Sequence, residues 1–489
     1  MKVLFIYMGV ESLGVEYLAA EAREAGHQAD LLFDPSVFGG HLMWDMPSIA
    51  KLFDKRPQML KMILENKPDV AAFSCVTANY VWSLELAREI KKYAPGIHTV
   101  FGGVHVTATP ERVIREPAVD CLIVSEADIL FPLVLSDLEE GRHEQRPGVW
   151  RKIEGEISHS EGWMPVDDLD TLPLPAKDLF YKKIPVLEEM YSVMTSRGCP
   201  YMCTYCHNSI KNVLPPGSKK VRRRSVENVV SELEEAVKRG RVKAVKFYDD
   251  VFPMQMEWMR EFAGKYRERV GKPYFCFAHP SMLNEEIIKC LAESGCQCIS
   301  MGVQSADDGQ RRKMFHRNYS NETVRRNVEQ IKKSGISVSI DHIVGIPGDT
   351  HQMMRDAVKF YAELKPDRLL SYWLSCFPGT EILEMSVEMG ELTEEERERI
   401  ENGDEGSLYG GAGAGAIRLR AFNKYRYLFS LIPILPTKWV ISLLNKNPFR
   451  FVPGSNLLIN LTLFFSAVKR RDLFFMHNLR YLMSRKKVP

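Results

Sequence analysis

Three cysteines, Cys199, Cys203 and Cys206, stand at i, i+4 and i+7 in the stretch Thr195-Ser196-Arg197-Gly198-Cys199-Pro200-Tyr201-Met202-Cys203-Thr204-Tyr205-Cys206-His207-Asn208. A thiolate group of this kind is a soft-metal site. A zinc site, or an iron–sulfur cluster ligated wholly by protein, wants a fourth thiolate or imidazole. Only three thiolates are arranged here, in a loop tightened by Gly198 and Pro200. The spacing fits a cubane iron–sulfur cluster with one iron open to an outside ligand. His207 is the competing fourth ligand, but it directly follows Cys206 and is expected to point away.

The loop resembles the cluster loop of the radical S-adenosylmethionine (radical SAM) enzymes. It matches their Cys-x3-Cys-x2-Cys pattern, with the aromatic Tyr205 just before the last ligand. The resemblance implies a 4Fe-4S cluster on Cys199, Cys203 and Cys206, and SAM held on the open iron by its amino and carboxylate groups. One electron would then cleave the sulfonium and release a 5′-deoxyadenosyl radical. Later strand ends carry the resemblance on in chain order. Tyr248-Asp249-Asp250 resembles the place where family members contact the methionine moiety. Asp249 or Asp250 would accept from the SAM amino group, and Tyr248 is a candidate catalytic residue. Gln304-Ser305 resembles the Gly-x-Gln-Ser strand end beside the ribose. Arg317 is expected either at the SAM carboxylate or in a salt bridge on a helix flank. Gly345-Ile346-Pro347-Gly348-Asp349-Thr350 resembles the Gly-x-Pro-Gly-Glu-Thr turn near the adenine, with Asp349 in place of Glu and Ile346 as a cofactor contact. Phe377-Pro378-Gly379-Thr380 resembles the final-strand turn.

Cys276, Cys290, Cys296 and Cys298 read as buried small hydrophobes, and no auxiliary cluster is expected. Cys376, at the end of a strand candidate, is a candidate catalytic residue facing the substrate. Arg222-Arg223-Arg224 reads first as a solvated surface; a grip on an anionic cofactor or substrate is the alternative.

These residues need strands to carry them. Apolar runs at Tyr191-Met194, Ala244-Tyr248, Tyr274-Phe277, Cys298-Met301, Ser337-Ile343 and Leu369-Leu374 alternate with helix candidates Val226-Arg239, Met254-Arg269, Asn284-Ser294, Asn321-Ser334 and Met353-Leu364. Six repeats over residues 191–400 fit a partial (β/α)6 barrel, whose active loops lie at the strand C-termini.

Residues 1–145 read as a separate α/β domain with a parallel, doubly wound sheet. Its strand candidates are Val3-Tyr7, Ala29-Phe33, Asp69-Ser74, Thr99-Phe101 and Asp120-Val124. A helix from Gly14 to Ala25 ends at Gly26, a C′ position. Ligands of such sheets lie beyond the strand C-termini, which here carry Gly9, Ser74, Gly102-Gly103 and Ser125-Glu126. From these residues alone the ligand stays open. The absence of Gly-x-Gly-x-x-Gly in Met8–Gly14 argues against a nicotinamide dinucleotide. The helix opening at Leu13, the Ser74-Cys75 strand end and Phe101-Gly102-Gly103-Val104-His105 resemble the Rossmann-like cobalamin-binding domain found before many radical SAM cores. Members that ligate cobalt from below use Asp-x-His-x-x-Gly. Setting that glycine on Gly14 leaves Gly9 and Glu11 where Asp and His would be. The resemblance thus implies cobalamin with its lower face unligated or held by water, contacted by Glu11, Ser74, Gly102, Gly103, Val104 and Glu126.

Residues 146–190, rich in Pro, Asp and Gly, read as an irregular linker with a small hairpin near Val149-Ser158. Residues 401–489 read as a mainly helical region: a small-residue loop at Gly406–Ala416 that serves as lid or hinge, then apolar runs at Tyr425–Leu444 and Leu457–Val468. Pro433, Pro436 and Lys438 interrupt the first run, so neither is a membrane span. Helices packed on the barrel are one reading. A monotopic surface flanked by Lys469, Arg470, Arg471, Arg480, Arg485, Lys486 and Lys487, or a channel for an apolar substrate, are the others.

The chain has 489 residues, 45% hydrophobic and 26% charged, with a net charge of +2 that gives no electrostatic case for nucleic acid. Its ten cysteines do not form a secreted disulfide pattern. Val3-Leu4-Phe5-Ile6-Tyr7 reads as a strand and no signal peptide, so a cytoplasmic enzyme is expected, with possible peripheral contact at the inner membrane face. The combined resemblance implies a cobalamin-dependent radical SAM methyltransferase acting on an unactivated carbon of an apolar lipid or tetrapyrrole. Reduced flavodoxin or ferredoxin would supply electrons. A radical SAM cyclase is the alternative; a methylthiotransferase or a nonenzymatic cofactor-binding protein fits less of the pattern.

Overall fold

Strand β1, Lys2–Met8, is buried at five successive residues because helices cover both faces of its sheet. In the computed structural model, which describes residues 1–35, 54–211, 220–404, 414–451, 456–470 and 472–484, β1 pairs in parallel with β2 (Gln28–Asp34) and β3 (Val70–Ser74). Strands β4 (His98–Gly102) and β5 (Cys121–Ile123) continue the parallel sheet. The expected hairpin is present as β6 (Val149–Ile153) and β7 (Glu156–His159). It is no part of a linker: β6 pairs antiparallel with β5 and extends the sheet to the order β2-β1-β3-β4-β5-β6-β7. Ala176, Leu179, Phe180, Ile184 and Leu187 likewise pack into the core with Val3, Phe5 and Phe33. The first domain therefore runs on to about the start of the barrel, because its sheet has an open edge and an apolar face that this segment covers.

The second sheet is the expected partial barrel. Strand β8 (Met190–Val193) opens it, and the short strands β9 (Ser196–Arg197) and β10 (Arg222–Arg223) frame the cysteine loop as an antiparallel pair. Then follow β11 (Ala244–Phe247), β12 (Tyr274–Ala278), β13 (Cys296–Gln304), β14 (Ser337–Val344) and β15 (Arg368–Trp373). All six long strands are parallel, in the order β15-β14-β13-β12-β11-β8. Outer residues such as Val245, Phe247 and Ile340 join helices 226–238, 256–269, 285–293, 321–333 and 351–364 in one core. Ser225, Asn284, Ser320 and Thr350 cap four of these helices, each accepting from a backbone N–H three residues on.

The C-terminal region is helical. Phe422, Phe429, Ile432, Val440 and Leu444 join the barrel core, and Phe474 packs on Phe275 at 5.2 Å beneath the lumen. Leu461, Phe465 and Val468 form an exposed stripe on the helix Asn456–Arg470. No helix among the described residues is long and apolar enough to cross a membrane. Most of the expected lid at 406–416, with Arg471 and Arg485 to Lys487, lies outside the described residues.

Candidate active site

Asp249, just after β11, shapes the cysteine loop from below. Its carboxylate accepts from the Thr195 backbone N–H at 3.1 Å, the Thr195 hydroxyl at 2.7 Å and the Ser196 hydroxyl at 2.5 Å. It is 1% exposed, and although it lines the same cavity as the three cysteines its oxygens are engaged by Thr195 and Ser196. Gly198 then turns with φ +89°, where a Cβ would lie 2.0 Å from the Lys220 carbonyl oxygen; no other residue fits. Cys199, Cys203 and Cys206 all line one cavity of about 290 Å³ together with Tyr205, Asp250, Gln304 and Arg317. His207 turns away and packs on Phe377 at 4.3 Å.

Burial pushes the Cys199 thiol up to about 12, and raises that of Cys206. Bare, these thiols hold their protons, so the set suits a bound metal that replaces them. Among the described residues, no three His, Cys, Asp or Glu side chains converge on a point where one metal ion would sit. A cluster asks for wider spacing, because each thiolate takes a different iron. Arg317 is in no helix-flank salt bridge among the described residues: its Nε lies 3.3 Å from Cys203 Sγ, and Nη1 bonds the Gly302 carbonyl. Gln304 holds φ +67° at a bulge in β13, which aims it into the same cavity.

A second cavity, about 380 Å³, adjoins the first between the two domains. Ser74, Gly102, Gly103, Val104 and Glu126 line it. Gly103 holds φ +100°, and a Cβ there would meet the Cys75 carbonyl at 2.5 Å. The inner wall is apolar, with Phe5, Val100 and Phe131; the barrel side is charged. There Arg197 bonds Asp128 at 2.6 and 2.9 Å, and Arg222 bonds Glu126 at 2.9 Å. Among the described residues, no histidine lines this cavity. His105 is buried instead, stacked on Tyr80 at 4.1 Å and lowered to about 4 by burial. An apolar slot below a polar rim suits a large amphipathic group such as a corrinoid. Asn208, Tyr248 and Asp250 line both cavities, so one small set of side chains faces both ligands.

Other expectations fail for identifiable reasons. Glu11 is spent between the domains: it accepts from Lys177 at 3.1 Å and Ser192 at 2.6 Å. Ser305 donates to Gln310 at 2.6 Å and is buried, away from both cavities. Ile346 is in the core, its N–H given to Asp349. Cys376 is fully buried, 3.6 Å from the Ser386 hydroxyl, with burial raising its thiol to about 11; it faces no substrate space. The arginine triplet is no solvated surface. Arg223 stacks on Trp258 at 3.8 Å and Arg224 bonds Glu232 at 2.6 Å. Sequence reading missed Asp128 and Arg197 in the larger cavity, and His279 and Asp341 in the smaller. Asp341 had a signal: a lone carboxylate within the apolar run of β14.

Residues 6–135 match the model of the B12 binding domain, and residues 193–361 that of the radical SAM superfamily. An uncharacterized methyltransferase, PH0819, of Pyrococcus horikoshii is 25% identical over 416 residues, 79% of this chain and 83% of that one. The anaerobic magnesium-protoporphyrin IX monomethyl ester cyclase of Rubrivivax gelatinosus is 22% identical over 390 residues, 75% of this chain and 66% of the cyclase. The solved structure of the cobalamin-dependent SAM radical enzyme OxsB, with aqua-cobalamin and SAM bound, superposes with a TM-score of 0.66 at 14% identity. That match covers 100% of this chain and 79% of OxsB, and shows the shared fold. The chain belongs to the radical SAM enzymes that carry a B12-binding domain ahead of the radical SAM domain.

Proposed function

We propose that the chain is a cobalamin-dependent radical SAM methyltransferase that modifies an unactivated carbon. The carrying observation is the adjacency of the two cavities, joined at Asn208, Tyr248 and Asp250. Cys199, Cys203 and Cys206 would hold the 4Fe-4S cluster, with Asp250, Gln304 and Arg317 toward SAM; Ser74, Gly102, Gly103 and Glu126 would hold cobalamin. When bound, the cluster with SAM supplies a radical that removes hydrogen, and the corrinoid supplies a methyl group. The chain's own residues position and exclude. Gly103 lets the backbone pack close under the larger cavity, Arg317 puts a cation beside Cys203, and Phe474 shuts the lumen from below. Such fixed distances and a closed floor are what a radical step needs from its protein.

An apolar substrate agrees with Phe277 in the smaller cavity. Reduced flavodoxin or ferredoxin as electron donor belongs to the same reading. The exposed Leu461-Phe465-Val468 stripe supports peripheral contact with a membrane surface. The test is anaerobic loading with iron, sulfide and hydroxocobalamin, followed by desalting. About one corrinoid and four irons per chain should remain, and SAM should perturb the electron paramagnetic resonance signal of the reduced cluster. Passage of all the corrinoid through the column would sink the first-domain half of the reading.

A further inference from the structure

Successive residues of a strand face opposite sides. Val245 and Phe247 of β11 face the helices, so Ala244, Lys246 and Tyr248 face the lumen. Ala244 accordingly packs with Met190, Phe275 and Phe474 on the lumen floor. Lys246 stands one step above that floor, beside Ser192 across the β8 ladder.

Its ammonium has an unusual setting. Nζ donates to the Tyr248 hydroxyl at 2.7 Å and lies 4.1 Å from the Tyr248 ring centroid and 5.9 Å from that of Phe275. No carboxylate lies within 4.0 Å of it among the described residues. Glu11, which reaches this face of β8, is committed to Lys177 and Ser192. An ammonium has three donors; one is used on a phenol that itself lines both cavities. Lys246 is itself in the lining of neither cavity, but its ammonium is accessible beside that phenol, and a cation with donors to spare is a binding group for an anion.

We propose that Lys246 and Tyr248 form the substrate anchor: the ammonium binds one anionic group, a carboxylate or a phosphate, while the substrate's apolar body packs on Phe277. This rests on the reading of the adjoining cavities as the reaction site. It refines the expectation of an apolar substrate to an amphipathic one that enters the lumen with its charge toward β11.

The test is calorimetric titration of the full-length, cluster- and corrinoid-loaded protein with three probes of equal chain length: octanoate, octyl phosphate and octan-1-ol. One anion should bind at least about tenfold tighter than the alcohol, the worth of a charge-assisted hydrogen bond. Preference for octyl phosphate assigns a phosphate, and preference for octanoate a carboxylate. Lys246→Met should erase the preference while keeping the alcohol's affinity, which also reports that the lumen is folded; Lys246→Arg should retain it. Equal binding of anion and alcohol by the wild type overturns the proposal. So does Lys246→Met that keeps the preference, or that weakens SAM binding and spares the probes, which would give the ammonium to SAM. The titration needs no SAM cleavage, so failure of the proposed reaction and failure of this anchor read separately.

Discussion

Cys203 and Cys376 are both buried thiols, and their surroundings separate them. Cys203 faces two other thiols and an arginine across a cavity; Cys376 faces Ser386 in the core. Cys203→Ser should lose most of the bound iron, read by colorimetric assay, whereas Cys376→Ser should keep it. Asp341 offers a different test. Its carboxyl is raised to about 6 by burial, with only Ser300 bonded at 3.1 Å. The folded state therefore holds its proton more tightly than the unfolded one, and stability falls as pH rises through that value. Asp341→Asn should stabilise the protein by up to about 3 kcal/mol above pH 6, with the gain gone below about pH 4, read from urea midpoints. The convergence of the three cysteines on one cavity was legible from their spacing together with the later motifs in chain order. The different settings of Asp249 and Asp250 were not: the two are adjacent in sequence and both line the cavity, and only the turn after β11 commits Asp249 to Thr195 and Ser196.

At the scale of elements, the barrel's strands and the helices between them were legible to within two or three residues because periodicity and caps agree, whereas the helices Arg56–Asn66, Leu130–Glu139 and Asp308–Phe315 were not read. What escaped was the role of residues 146–190. Pro and Gly mark irregular backbone, but they do not say which face it covers, and this segment seals the first sheet. It also brings Lys177, buried between Glu11 at 3.1 Å and Glu16 at 2.8 Å, with Glu11 reaching on to Ser192 of β8. The two carboxylates hold the ammonium charged. Lys177→Met would leave two buried acids without their cation, at about 3–5 kcal/mol. Urea unfolding should show that loss, and a second transition if the domains part before they melt.

Taken whole, the molecule sets the C-terminal ends of the parallel strands of its two sheets against each other, so both cavities open where each fold binds ligands. The cofactor layout could be read in sequence because motifs describe cofactors. The substrate could not, because residues such as Lys246, Phe277 and Phe474 carry no motif and meet around Phe275 only in the fold. If the exposed stripe meets a membrane surface, Phe465→Ser should cut co-sedimentation with anionic phospholipid vesicles several-fold; an unchanged pellet would remove that contact. The central claim concerns the pair of cavities, and product analysis tests it most directly. The anaerobic, fully loaded enzyme is incubated with SAM, reductant and an amphipathic substrate pool, and the nucleosides are measured by mass spectrometry. Methyl transfer predicts that 5′-deoxyadenosine and S-adenosylhomocysteine accumulate together. Deoxyadenosine with no S-adenosylhomocysteine, from protein that retains its corrinoid, would contradict it and return the chain to the cyclase-like reading.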